Sequence, residues 1–166
     1  MLTSFEGMED NSRIWIYQSD RPVTADEKKA ILLDSEIFLK QWAAHGSDLK
    51  ASGTILHDHF LIICTDESFN LASGCSIDSS VQFVQNLGQK YGIDFFQRTN
   101  LAFWKDNAIK MVKLNELKAM VASGEIGADS LFFENTIQSK SQLQTEWRVK
   151  AGETWLKRYF KAALNV

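Results

Sequence analysis

One proline in 166 residues leaves little to break the chain into separately folding pieces, and no Gly/Ser-rich or Pro-rich linker is present. Two cysteines are too few for a disulfide framework; Cys64 in an apolar run and Cys75 in a polar one suit reduced thiols. No apolar run is long enough to span a bilayer. Met1–Asn11 carries acids where a secretory signal would carry bases, and no apolar stretch follows it. These absences together give the expectation of a cytoplasmic protein. Basic excess is missing too: the net charge is −3 and the pI is near 5.6, which argues against nucleic acid as a partner. Charge is unevenly spread, with eight acids against four bases in 1–39 and six bases against two acids in 140–166. A solvated basic helix accounts for the second stretch more simply than a partner site does.

What is present is an ordinary globular composition, 45% hydrophobic and 23% charged, with eleven Phe and five Trp for a bulky core. The length suits one domain, able to bury roughly 70% of its unfolded surface. Residues 1–12 lack periodicity and read as a flexible leader, followed by a single domain over 13–166. Arg13–Gln18 alternates as a strand. Thr24-Ala-Asp-Glu27 has capping-box spacing and opens a helix with Ile31, Phe38 and Trp42 on one stripe, beside Leu32, Leu39 and Ala43, closed near Gly46. Ala51–Leu56 and Phe60–Thr65 read as a hairpin about His57-Asp58-His59. The second arm is apolar at five consecutive positions, the signature of a central strand covered on both faces.

A helix follows the Ser73–Ser80 stretch, with Ile77, Val81, Val84 and Tyr91 on its stripe and Gly92 at its end. A second hairpin spans Asn100–Lys105 and Ala108–Leu114 across Asp106-Asn107, residues that accept positive φ. Asn115 caps a short helix over Glu116–Ser123, and Leu131–Ile137 alternates as a last strand. Capping-box spacings at Ser139–Gln142 and Ser141–Gln144 start another helix. Ala151-Gly152 interrupts it, and Thr154 caps a final helix with Trp155, Tyr159 and Ala163. The order β-α-β-β-α-β-β-α-β-α implies an α+β fold: a mixed, mainly antiparallel sheet with helices packed on it.

Chemistry concentrates in Leu71-Ala-Ser-Gly-Cys-Ser-Ile-Asp-Ser-Ser-Val81, where a strand hands over to a helix N-terminus. Unpaired N–H groups there carry partial positive charge, which can hold an anion or ionise a thiol. Ser73, Gly74, Ser76, Asp78 and Ser79 are therefore the candidate ligand-binding residues, with Ser80 beside them. Cys75 is the candidate nucleophile, with His57, His59 or His45 as its base. The plainer reading is a tight turn at Gly74-Cys75 with Ser76 or Asp78 as the cap. His57-Asp58-His59 would put both imidazoles on one side of an extended backbone, yet no third or fourth ligand is evident, and Asp66, Glu67 and Asp78 read more simply as exposed ends than as a cation site. No metal and no cofactor is expected. Trp104, Trp147 and Trp155 could form a pocket with Arg148 or Arg158, although Trp147 and Trp155 fall at core positions.

Trp42-Ala-Ala-His-Gly46, Asp66-Glu67 with Ala72-Ser-Gly-Cys-Ser-Ile-Asp-Ser79, and Asp94-Phe-Phe-Gln-Arg98 together resemble a family of short uncharacterised Bacteroidetes proteins, some of them labelled ABC transporter ATPase. The resemblance covers most of the chain and implies no known reaction. That label does not follow from the residues. A phosphate-cradling Gly-x4-Gly-Lys-Ser/Thr is absent, and the Walker-B-like Phe60–Glu67 precedes the signature-like Leu71–Cys75, the wrong order. Three readings remain: a binding or interaction module for a small anionic ligand or a protein partner, a Cys75-dependent enzyme of acyl transfer or hydrolysis, and a purely structural or homo-oligomeric protein with no small ligand.

Overall fold

The computed structural model describes residues 1–161. It has the α+β class and the antiparallel pairing expected, with its strands divided over three sheets. The chain clusters into two compact units: Met1–Gln97 with Gln138–Ser141, and Arg98–Ile137 with the described chain from Gln142 onward.

In the first unit the strands β1 (Arg13–Gln18), β4 (Ala51–Leu56) and β5 (Phe60–Thr65) form a sheet of order β1-β5-β4. Both partners run antiparallel to β5, with Ile14 opposite Cys64 and Ser52 opposite Cys64 from the other side. All six residues of β5 are buried, as five consecutive apolar residues in a central strand demand. Helices α1 (Ala25–Gln41) and α2 (Gly74–Tyr91) share a core with one face of this sheet: Ile31 and Leu39, Val84 and Leu87, against Tyr17, Ile55, Leu61 and Ile63. At roughly 1.5–3 kcal/mol per large apolar side chain, that burial is the main stabilising force.

The start of α1 is the capping box expected, with Thr24 accepting from the Glu27 N–H and Glu27 accepting from the Thr24 N–H. Its end is earlier than expected. Trp42 turns extended, and Gly46 (φ 79) with His45 (φ 51) forms the tip of a small hairpin between β2 (Ala43–Ala44) and β3 (Ser47–Asp48). Residues 1–12, read as a loose leader, bond to the sheet: the Ala51 N–H donates to Met1 O, the Thr3 N–H donates to Ala51 O, and Met8 is buried.

The second unit is built on β6 (Asn100–Lys105), β7 (Ala108–Lys113), β8 (Leu131–Phe133) and β9 (Arg148–Lys150), in the order β7-β6-β8-β9. Asp106 (φ 53) and Asn107 (φ 59) make the tight turn their residue types favour. Leu101, Phe103, Val112, Phe132, Leu156 and Phe160 fill its core with Leu117 of α3 (Leu117–Ala122). The helix after Ser139 is reduced to α4 (Gln142–Thr145), and β9 lies where a longer helix was expected. Thr154 does cap the next element, accepting from the Leu156 N–H at 3.2 Å, but that element is a 3-10 helix, Trp155–Tyr159. The tighter winding gives the core position to Leu156 and leaves Trp155 44% exposed. Ala163 lies outside the described residues.

Candidate functional site

The site grows from the end of β5. Asp66 is buried and accepts from both the N–H and the hydroxyl of Ser68, at 3.0 and 2.5 Å, an Asx turn that bends the chain away from the sheet. The Ser68 bonds hold its carboxyl below the usual carboxylate range, with Lys50 3.6 Å away adding to the effect. Glu67 accepts from the Ala72 N–H at 3.2 Å, closing the loop on itself. The Asn70 amide donates to the carbonyls of Ser47 and Asp48, lashing the loop to β3. Asp66 and Glu67 are thus loop-formers rather than exposed strand ends. Between these clamps the loop presents Phe69 and Leu71, which remain 54% and 66% exposed.

Ser73 is the N-cap of α2, in place of Ser76 or Asp78. Its hydroxyl accepts from the Ser76 N–H, and the Ser76 hydroxyl accepts from the Ser73 N–H at 2.7 Å. Serine at the third helical position plays the part a glutamate usually takes. Ser79 and Ser80 donate to the carbonyls of Ser76 and Ile77, so the hydroxyls of the run are spent on the helix itself. Folding back this way makes the serines compact, and Ser76 and Ser80 are buried on the stripe with Val84 and Leu87. The N–H groups of Gly74 and Cys75, in the first two helical positions, keep no partner among the described residues. Asp78 is exposed and makes no cap bond.

The Cys75 thiol is free and exposed. Cys64 is its opposite: buried in β5, its thiol is pushed up to about 11 by loss of water, which makes it inert. Neither His57 nor His59 is brought to Cys75. His57 (φ 52) and Asp58 (φ 53) form the turn between β4 and β5, not an extended tripeptide, and His59 is buried with Nδ1 2.8 Å from its neighbour His57 O. This turn is tied to the start of α1 by the Val23 N–H to Asp58 O and by Lys28 to Asp58. Trp42, beyond the last residue of α1, donates through Nε1 to Ser76 O at 2.8 Å. The length of α1, 17 residues or about 25 Å, therefore lies between the two histidines and the thiol. His45, at the β2–β3 tip, is exposed on the side to which Asn70 bonds.

In the second unit Trp147 is core, its Nε1 donating to the Asn135 side chain at 2.9 Å. Arg148 stacks on Trp104 at 4.8 Å, and Arg158 stacks on Trp155 and Tyr159. Each guanidinium thus already covers an aromatic face. Among the described residues no three His, Cys, Asp or Glu side chains are grouped to share a metal ion, and no helix is long and apolar enough to cross a membrane. What the sequence reading missed is the pair Phe69 and Leu71. Asp66 and Glu67, read as the exposed end of a strand, stand just before them, and two large apolar residues beyond a strand end were the available signal. Comparison with protein-family models, with curated proteins and with solved structures finds no match to this chain.

Proposed function

We propose that this chain is a small cytosolic interaction module whose recognition element is the loop Asp66–Cys75 together with the N-terminal end of α2. The observation that carries the reading is two large apolar side chains, Phe69 and Leu71, held out on a loop pinned by side-chain hydrogen bonds. A loop ordered in advance loses less entropy on docking, so apolar contact converts to affinity more fully. The unpartnered N–H groups of Gly74 and Cys75 add an anionic preference, suited to a carboxylate beside apolar residues on the partner. Membership of the Bacteroidetes family that the Ser-Gly-Cys-Ser-Ile-Asp run resembles belongs to the same proposal, without the ATPase label, since the chain lacks a P-loop spacing. The alternative, a Cys75 nucleophile served by His57, His59 or His45, is the weaker reading because His57 and His59 stand at the far end of α1 and His45 is an exposed turn residue at the β2–β3 tip.

The test is quantitative affinity enrichment from cell extract with three baits: wild type, Phe69→Ser/Leu71→Ser, and Leu33→Ser/Ile37→Ser as an exposed apolar control on α1. The expected result is a set of proteins retained by wild type and control at least five-fold over the loop variant. Gly74→Pro removes one free N–H where helices tolerate proline, and should weaken the same set less severely. Enrichment indifferent to Phe69 and Leu71, with all baits folded by circular dichroism, overturns the proposal.

A further inference from the structure

The sheet of the first unit ends in an edge that is only partly occupied. Just before β4, Lys50 O is turned toward the β5 side, where it accepts from the Asp66 N–H, whereas Ala51, the first residue of β4, is turned the other way and bonds Met1 and Thr3. With the period of two along a strand, the N–H and C=O groups of Gly53 and Ile55 also face away from β5. The leading segment pairs with β4 at a single bridge, Leu2 with Ala51, in parallel. It then bends off, the Gly7 N–H donating to Ser4 O. Beyond Ala51 no described strand pairs with that edge.

A cleft of about 390 Å³ opens there, within the range of binding sites. Its floor is Ser52–Thr54, one wall is the departing segment with Phe5 and Glu6, and the other is α1 with Leu32 and Glu36. Glu6 and Glu36 are exposed and make no ion pair among the described residues, and no lysine or arginine lines the cleft. Lys140, which bonds the main-chain carbonyls of Glu6 and Met8, is engaged by the segment's backbone. Unpaired main-chain groups ask for a strand, the apolar walls ask for alternate side chains, and two free carboxylates ask for a cation.

We propose that the open edge of β4 over Gly53–Ile55 is a docking groove for an extended peptide strand of a partner protein that carries a lysine or arginine between apolar residues. The peptide extends the sheet by one strand, bonding the Gly53 and Ile55 main chain, and its cation lies between Glu6 and Glu36. This groove is separate from the Phe69–Leu71 loop and does not rest on that reading.

The probes are two synthetic peptides, acetyl-Ser-Val-Lys-Val-Ser-amide and its glutamate counterpart, titrated into the 15N-labelled protein. The expected result is shifts of the Gly53 and Ile55 amide resonances with the lysine peptide and binding at least five-fold weaker for the glutamate peptide. Glu6→Lys/Glu36→Lys, two exposed substitutions outside the core, should reverse that preference. No shift at millimolar peptide, equal binding of both peptides, shifts confined to other residues, or peptide-free dimerisation through this edge would each overturn the proposal.

Discussion

Cys64 and Cys75 carry the same chemical group in opposite surroundings, and the difference is measurable. Native protein at pH 8 should take one equivalent of iodoacetamide, all at Cys75, and a second only on unfolding; two adducts in the native state would contradict the burial of Cys64. The Cys64 thiol is raised from 9.0 to about 11, so the folded state favours its neutral form. That contribution is complete below pH 9 and is lost between pH 9 and 11, at most about 3 kcal/mol. Burial also raises the Tyr17 hydroxyl, which acts in the same direction. The melting temperature should therefore fall more steeply from pH 8 to 11 in wild type than in Cys64→Ala. Glu27 has the opposite sign. The two-point Arg21 guanidinium bond, at 2.8 and 2.7 Å, and then the Thr24 N–H lower its carboxyl from 4.5 to about 2. Its stabilisation is present above pH 4.5 and disappears as pH falls through 2. The melting-temperature gap between wild type and Glu27→Gln should close on acidification from pH 5 to 2; a constant gap would mean the pair has no electrostatic role.

Among the elements, α2 gives the sharpest tests because both of its ends were read from sequence and only one was read correctly. Gly92 at its C-terminus is left-handed (φ 64), as a helix-ending glycine should be. At its N-terminus several neighbouring serines and an aspartate all have capping chemistry, and side-chain type alone does not choose among them. Register chooses: burying Ser76, Ser80, Val84 and Leu87 fixes the rotation of α2, and that rotation leaves Ser73 in the extended backbone a cap requires. Ser73→Ala should cost about 1 kcal/mol in urea unfolding and Asp78→Ala close to nothing. The reverse order would restore Asp78 as the cap. Gly88 sits in the last turn of α2, and an added Cβ would come within 2.5 Å of the Ile93 carbonyl oxygen. Gly88→Ala should therefore destabilise by about 1–3 kcal/mol, even though alanine gains roughly 1 kcal/mol in helix propensity.

Across the whole chain, the first unit is completed by four residues supplied from far along the sequence. The N–H groups of Lys140 and Ser141 donate to Ser12 O and Asp10 O, the Ile14 N–H donates to Gln138 O, and the Lys140 ammonium reaches Met8 O at 2.6 Å. Lys140→Pro removes the first of these donors and the ammonium together. It should lower the urea midpoint by an amount equivalent to roughly 2–3 kcal/mol, whereas Lys140→Ala, which keeps the N–H, should cost about half as much. Equal costs would assign the whole effect to the side chain. Contacts of this sequence separation are the kind that no local pattern reveals, so residues 1–12 read as loose. Local chemistry did determine a great deal. Thr24 and Glu27 opened α1, Phe60–Cys64 made the central strand, and Asp106-Asn107 made the turn, because capping, burial on two faces and positive φ are each decided within a few residues. Tertiary structure alone decided the rest. It ended α1 at Gln41 and gave Gly46 to a hairpin, and it placed Leu156 inside and Trp155 outside. It also set His57 and His59 at one end of a helix and Cys75 beyond the other, because distance between side chains depends on how elements pack, and periodicity along the chain carries no record of it.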